Sequence, residues 1–195
     1  MKTKRFFTLI ISCVMLISSL TVSAAEPTHN NINEMEPAFI IELENPEDLD
    51  DILAEIESNN ARANALWEAA LEESANTPLL IDSSINPYGV FSTTSTATFN
   101  VSSGFNSAII NTNVTYDRVN NGSYYIFGTI HGVSIWARNG EEVSNVITNY
   151  TRIDNQRVLA VNYSFVVGLN TGSSTINTQF TKYIEFNANG SHLVY

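Results

Sequence analysis

The stretch FSTTSTATFNV, residues 91–101, decides the fold because its apolar and polar side chains follow a period of two. Phe91, Ala97, Phe99 and Val101 face one way along an extended chain, and the intervening positions on the other side carry hydroxyl or amide groups. This alternation is typical of a strand with one face buried and one face in water. The stretch therefore predicts a half-buried β-strand.

Further alternating segments follow it to the C-terminus. Asn121-Gly122 is a strong hairpin signal, and Asp154-Asn155 is expected to turn a second hairpin. Residues 124–130 are apolar on both faces, which predicts a central strand, and residues 132–138 are expected to form the next strand. We therefore predict that residues 91–195 form an all-β domain, an antiparallel β-sandwich of seven to eight strands, with a small barrel as the alternative.

Ahead of this domain, residues 45–76 have the pattern of an amphipathic helix with an acidic exposed side. Asn45 is a good N-cap and Pro46 suits the first helical position. Ser58-Asn59-Asn60 interrupts the apolar stripe, so the helix is expected either as one piece or broken near residues 58–60. The predicted buried stripe consists of Leu49, Ile52, Leu53, Ile56, Ala63, Trp67, Ala70 and Leu71.

Charge is distributed very unevenly along the 195 residues, whose formal net charge is −11. Residues 26–89 contain fifteen acidic residues and one basic residue, Arg62, whereas residues 90–195 contain five of each kind. Binding to nucleic acid or to anionic lipid requires a patch of basic residues. The few scattered bases of this chain therefore argue against both kinds of partner.

The first 25 residues predict a signal peptide. Lys2, Lys4 and Arg5 precede a short apolar run, and small residues at Ala24-Ala25 suit a cleavage site. Cys13, the sole cysteine, lies in a stretch that also fits a lipidation motif, which leaves lipid anchoring as a minor alternative. We expect the mature chain to be secreted, without disulfides and without a transmembrane segment.

The mature chain is then divided into four parts. Residues 26–44 are expected to be a flexible polar and acidic segment, followed by the helix, a linker at residues 77–90 and the β domain. With the linker sequence Asn86-Pro87-Tyr88-Gly89 and the terminal pair FNANGSHLVY, this organisation resembles that of small exported β-domain proteins of Gram-positive bacteria. The resemblance implies export and a β fold, and it carries over no functional residue.

Residues suited to catalysis are sparse. His29, His131 and His192 are the only histidines, and no nucleophile elbow, zinc-binding helix or phosphate-cradling loop is present in the sequence. Asp117 and His131 are the residues whose substitution would test a hydrolase. We therefore expect no catalytic, cofactor-binding or metal-binding residues, and we interpret the protein as non-enzymatic.

Two aromatic residues, Tyr125 and Trp136, are the candidate surface residues. Each stands in a strand beside an apolar neighbour, so one member of each pair should face away from the first core. Our favoured interpretation is that the helix docks on Tyr125 and Trp136. If the helix lies elsewhere, they form an exposed surface for an extracellular glycan or protein.

These observations predict an exported, non-enzymatic binding or interaction module whose acidic helix is retained. The alternative is a processed antimicrobial or membrane-active protein in which residues 26–90 are an acidic pro-region. The mass of the secreted protein separates the two, because processing would remove the helix.

Overall fold

The computed structural model describes residue 32 and residues 35–77, 89–101, 109–137 and 143–195. The predicted signal peptide, Cys13 and most of the predicted linker lie outside these ranges. Within them the chain is mostly β, with eight strands in two sheets and one N-terminal helix. The two sheets pack in a sandwich-like arrangement.

The described elements run in the following order. They are β1 (Phe39–Glu42), a 3-10 turn (Pro46–Asp48), α1 (Leu49–Asn76), β2 (Val90–Asn100), β3 (Ile109–Asn120), β4 (Tyr125–Ala137), β5 (Ile147–Ile153), β6 (Val158–Asn170), β7 (Thr175–Asn187) and β8 (His192–Val194). The strands β1 and β5–β8 form one sheet, called the covered sheet, because α1 packs against it. The strands β2–β4 form the second, called the open sheet.

The covered sheet is built around β6, which is buried on both faces. Along one face Leu159, Val161 and Tyr163 pack into the core between the sheets, and along the other Val158 and Ala160 pack beneath α1. The hairpin of β5 and β6 is antiparallel and turns at residues 154–157, which confirms the predicted turn.

The first strand was not predicted. Residues 26–44 were expected to be flexible, yet β1 pairs with β6 in parallel, with Phe39 opposite Val167. The pairing is possible because β5 reaches along β6 only as far as Ser164, which leaves the rest of that edge open. Bonds beyond the strand extend the contact, since the Ala38 amide donates to the Val166 carbonyl at 2.7 Å. The sheet is therefore mixed rather than wholly antiparallel.

The open sheet has the order β2-β3-β4 and is antiparallel throughout. Two strands were expected between residues 124 and 138, but β4 is one continuous strand. Its irregular pairing with β3 on both sides of Tyr116 absorbs extra residues as bulges, so no break is needed at Gly132. Among the described strands β4 is an edge strand and not the predicted central one.

Side chains from both sheets meet in one core. Phe99 of β2 stacks against Phe180 of β7 with ring centroids 6.2 Å apart. The buried Thr112 hydroxyl of β3 hydrogen-bonds the Tyr163 hydroxyl of β6, which satisfies two polar groups that would otherwise be costly to bury. Phe91, predicted to face this core, is 56% exposed because it lies near the end of β2, beyond the opposing sheet.

Helix α1 is continuous through Asn60, so the break considered near residues 58–60 does not occur. The side chain of Asn60 makes two bonds to the backbone of β7. Its Nδ2 atom donates to the Gln179 carbonyl at 2.7 Å, and its Oδ1 atom accepts from the Thr181 amide at 2.6 Å. Asn60 therefore interrupts the apolar stripe because its side chain pairs with the backbone of β7. It does so in the part of β7 that β8 does not reach.

The two halves of α1 bury their apolar residues in different places. Ile52 and Ile56 join the core between the sheets, whereas Ala63 and Ala70 pack over the outer face of the covered sheet. All but one of the predicted stripe residues are buried or partly buried. The exception is Leu71, which is 45% exposed because it lies about 100° round the helix from Ala70, the residue that faces the sheet.

The helix does not dock where we favoured. Its main contacts are with β5, β6 and β7, whereas Tyr125 and Trp136 both belong to β4 of the open sheet. The physical reason is the apolar outer face of β6, where Val158 and Ala160 match the helix stripe. The corresponding face of the open sheet carries hydroxyl and amide groups, which lose hydrogen bonds to water if they are covered.

Candidate functional site

The outer face of the open sheet is the candidate site, because no described element packs on it. Its side chains form three rows that cross the strands at the spacing of neighbouring strands, about 4.8 Å. The rows are Thr94–Thr115–Gly132, Thr96–Asn113–Ser134 and Thr98–Asn111–Trp136. We call this set the polar face.

Hydrogen bonds within the polar face hold its side chains in place. The Thr98 hydroxyl donates to the side-chain oxygen of Asn111 at 2.8 Å, and the hydroxyls of Thr94 and Thr115 lie 3.2 Å apart. Threonine is already stiff at its first side-chain torsion because it is β-branched. The face therefore presents hydroxyl groups whose orientations are largely set before any ligand arrives.

Trp136 ends one row of the polar face. It lies opposite Asn111 and is partly buried, so part of its indole remains accessible. A tryptophan offers a large flat apolar surface together with one N–H donor. Beside a hydroxyl and an amide, this surface can take a ligand that combines an apolar face with hydroxyl groups.

The other end of the polar face carries a paired histidine and aspartate. The His131 Nε2 atom lies 2.7 Å from Asp117 Oδ1, and both side chains are accessible to solvent. A bulge brings them together, because the pairing shifts from Gly132 opposite Thr115 to Ile130 opposite Tyr116. Both residues were named from the sequence, but their pairing depends on that bulge and was not foreseen.

This pair does not form a hydrolytic triad. Ser92 lies opposite Asp117 in the register, so Asp117 stands between the serine and His131. In a serine hydrolase the histidine stands between the other two, because it must take the proton from the hydroxyl. The arrangement therefore supplies a polar, partly charged end to the face and not an activated nucleophile.

Tyr125 lies far from Trp136. The two residues are eleven positions apart on one strand, which corresponds to on the order of 30 Å. Tyr125 lies beneath Arg118 instead, with the guanidinium carbon 4.5 Å from the ring centroid. The two aromatic residues predicted as one surface therefore belong to two separate surfaces.

Two neighbouring residues of β7 in the covered sheet, Lys182 and Tyr183, have shifted pKa values. Burial and the neighbouring Glu185 raise the pKa of Tyr183, whose hydroxyl donates to Glu185 Oε1 at 2.9 Å. Burial also lowers the pKa of Lys182. Tyr183 serves the contact between the helix and the sheet, since it packs with Ala63 and Ala70 of α1, whereas Lys182 lies on the opposite face of β7 with its Nζ atom 5.8 Å from the centroid of the Phe99 ring.

Two further properties concern the described part of the chain alone. It contains no helix that is both long and apolar enough to cross a membrane. Residues 35–77, 89–101, 109–137 and 143–195 contain no group of three or more histidine, cysteine or acidic residues placed to hold a metal ion.

Comparison of the chain with protein-family models, with curated proteins and with solved structures gives no match.

Proposed function

We propose that the protein is an exported, non-enzymatic binding module and that its polar face binds a neutral polysaccharide. The observation that carries this proposal is the difference between the two outer faces. One is sealed by α1, whereas the other is left uncovered by the described residues and carries ordered hydroxyl and amide groups with one tryptophan.

The chemistry of the polar face suits sugars. A sugar ring has hydroxyl groups around its edge and C–H groups on its faces, so it is bound by hydrogen bonds together with contact to an aromatic ring. The hydrogen bonds come from the rows of Thr94, Thr96 and Thr98 with their partners, and the aromatic contact comes from Trp136. The absence of charge from these three rows favours a neutral ligand over an ionic one.

The dimensions of the polar face suit a polymer. Four steps along β2, from Thr94 to Thr98, span about 13 Å at 3.3–3.4 Å per residue, and three strands span about 10 Å. This shallow area can accept several consecutive sugar units in an extended chain. A small isolated ligand would gain little there, because ligands of that size are usually enclosed in concave pockets.

The N-terminal region supports retention of the helix in the mature protein. β1 adds a strand to the covered sheet, and α1 contributes Ile52 and Ile56 to the common core. Their removal would expose β7 backbone that now pairs with Asn60. The mass of the protein recovered from culture medium tests this: a start near Glu26 agrees with retention, and a start between Thr77 and Phe91 supports the processed antimicrobial alternative.

Binding is tested by retention of residues 26–195 on insoluble neutral polysaccharides, including cellulose, chitin and starch. We expect at least one of them to bind, and Trp136→Ala to weaken binding about tenfold or more, as loss of a buried aromatic contact does in other interfaces. Thr96→Lys places a long charged side chain in the middle row and is expected to weaken it as well.

Tyr150→Ala is the matched control. Tyr150 is also an exposed aromatic residue, at 49%, but it lies on β5 of the covered sheet. Retention of Tyr150→Ala as strong as that of the parent, with loss in the two variants of the polar face, supports the proposal. If none of the polysaccharides is retained, or if Trp136→Ala and Thr96→Lys bind like the parent, the polar face is not the site.

A further inference from the structure

A second surface lies at the end of the sandwich where β4 meets the turn between β5 and β6. Arg118 is paired in register with Phe127, whose amide donates to the Gln156 carbonyl at 2.8 Å. From β5, Arg152 reaches across and donates to the carbonyl of Gly128. Two strands, β3 and β5, and the turn after β5 thus bring two arginines and a glutamine around the same two residues of β4. We call Arg118, Tyr125, Arg152 and Gln156 the arginine corner.

The turn that carries Gln156 has an unusual backbone. Asp154, Asn155 and Gln156 have φ values of +49°, +52° and +67°, and none is a glycine. Asp and Asn adopt such values readily in hairpin turns, whereas the value at Gln156 costs on the order of 1 kcal/mol, and strain of this kind tends to occur where a site needs a fixed geometry. The turn is held by bonds to other elements, because Glu73 of α1 accepts from the Asp154 amide at 2.7 Å and Phe127 donates to Gln156.

Positive charge and donor groups at the arginine corner are not compensated from within. The Nε atoms of Arg118 and Arg152 and the Nε2 atom of Gln156 are shielded from solvent and have no hydrogen-bond partner. Gln156 is only 6% exposed. Buried donors are normally paired, so three unpaired ones together are exceptional.

The nearby carboxylates are engaged elsewhere. Asp117 pairs with His131, and Asp154 pairs with Arg157 inside the strained turn. Neither ion pair includes Arg118 or Arg152. Arg118 and Arg152 therefore have no carboxylate partner within the described residues, and a guanidinium without such a partner favours an acidic ligand.

Aromatic rings accompany this charge. Tyr125 is 37% exposed and has the Arg118 guanidinium over its ring, and Tyr124 is 36% exposed with Arg157 placed similarly at 5.4 Å. Stacking on a ring holds a guanidinium in one plane, which prepares its fork of N–H groups for a carboxylate. Tyrosine and arginine are also the residues most often found at the energetic centre of binding surfaces.

We propose that the arginine corner binds the carboxylate of an acidic sugar, with the guanidinium of Arg118 holding the carboxylate and Tyr125 contacting the sugar ring. This site is separate from the polar face and does not depend on the function proposed there. It gives the protein a second specificity, for an acidic unit at the end of the sandwich.

The test uses ¹⁵N-labelled residues 26–195 at low salt, titrated with galacturonate and followed by NMR chemical shifts. We expect shifts concentrated at the arginine corner, about tenfold weaker binding in Arg118→Ala, and partial loss in Arg118→Lys, which keeps the charge but not the planar fork. Galactose, which lacks the carboxylate, should cause no shifts there. Inorganic phosphate, which lacks the ring, should bind more weakly than galacturonate.

Arg62→Ala is the matched control, because Arg62 also lies over a tyrosine, Tyr195, at 5.6 Å but on the far side of the covered sheet. It should leave the titration unchanged. The proposal is overturned if galactose shifts the same residues as galacturonate, if phosphate binds more tightly than galacturonate, or if Arg118→Ala binds as well as the parent. Thermal unfolding of each variant establishes that a loss of binding does not reflect a loss of the fold.

Discussion

The two sheets of this molecule differ most in their outer faces. On the covered sheet Val158, Ala160 and Tyr183 lie beneath Ala63 and Ala70 of α1, so the outer face is part of the core. On the open sheet every second residue of β2 from Thr94 to Asn100 points a polar side chain outward, while Ser95, Ala97 and Phe99 between them are buried. Burial on both faces makes the covered sheet part of the stable core, whereas the outer face of the open sheet is left accessible by the described residues.

The contrast between the two sheets requires that α1 is an essential part of the core. Ile56→Asp places a charge where the side chain is 1% exposed, within the core shared by helix and sheets. We expect it to lower the free energy of unfolding by about 4 kcal/mol or more, since a buried unpaired charge is among the most destabilising changes.

The measurement is urea denaturation followed by circular dichroism. Ala61→Asp adds the same charge to the same helix on its exposed side, and it should cost less than about 1 kcal/mol. Equal losses in the two variants would mean that the helix is only loosely attached and that the covered sheet is not sealed.

Asn60 tests the contact between α1 and the edge of the covered sheet. Asn60→Ala removes both bonds to β7 and leaves the amide of Thr181, a residue only 4% exposed, without its partner. We expect a loss of about 2 kcal/mol in urea denaturation, the cost of an unsatisfied buried group. Asn64→Ala, one turn later at an exposed position, should change stability little. A loss at Asn60 no larger than that at Asn64 would contradict the pairing.

Alkaline pH tests the burial of Tyr183 beneath the helix. Its pKa is raised above the ordinary value of about 10, so the unfolded chain loses this proton at a lower pH than the folded one. The stability is complete below pH about 10 and falls above it, by up to about 1.4 kcal/mol per pH unit for each such tyrosine. Burial raises the pKa of Tyr163 in the same direction.

Urea denaturation between pH 8 and 11 measures this slope. Tyr183→Phe removes one of the titrating groups and should make the alkaline decline less steep than in the parent. Tyr150→Phe, at a residue that is 49% exposed, is the control and should leave the slope as it is. An unchanged slope in Tyr183→Phe would show that this hydroxyl is solvated in the folded protein.

Much of the fold follows from local patterns. The period of two in residues 91–101 predicts β2, the apolar stripe predicts α1, and the polar pair Asp154-Asn155 predicts the turn of the β5–β6 hairpin. These signals suffice because each depends on neighbours in the sequence.

Features that depend on distant parts of the chain were not predicted. β1 is only four residues long, and it forms because the shorter β5 leaves part of the edge of β6 unpaired. Asn60 looks like a helix break until β7 is placed beside it. The docking side of α1 had one signal in the sequence, because residues 158–161 are apolar on both faces of the strand and therefore need a cover on each.

The candidate site was predicted only in part. Tyr125 and Trp136 were named together, and the structure assigns them to two surfaces. The arginine corner could not have been found, because its members come from β3, β4, β5 and a strained turn. No pattern of spacing brings those four segments together, whereas the rows of the polar face follow from the register once β2 and β3 are paired.

The smallest expected effect lies on the open sheet. Thr94→Ala removes the hydroxyl that lies 3.2 Å from that of Thr115, at an exposed position of β2. Water replaces the lost bond at such a site, so we expect the free energy of unfolding to fall by less than about 0.5 kcal/mol in urea denaturation. A loss above about 1 kcal/mol would mean that the hydroxyl rows stiffen the sheet. In that case their regularity would serve stability, and the contrast between a sealed face and a face kept for a ligand would no longer hold.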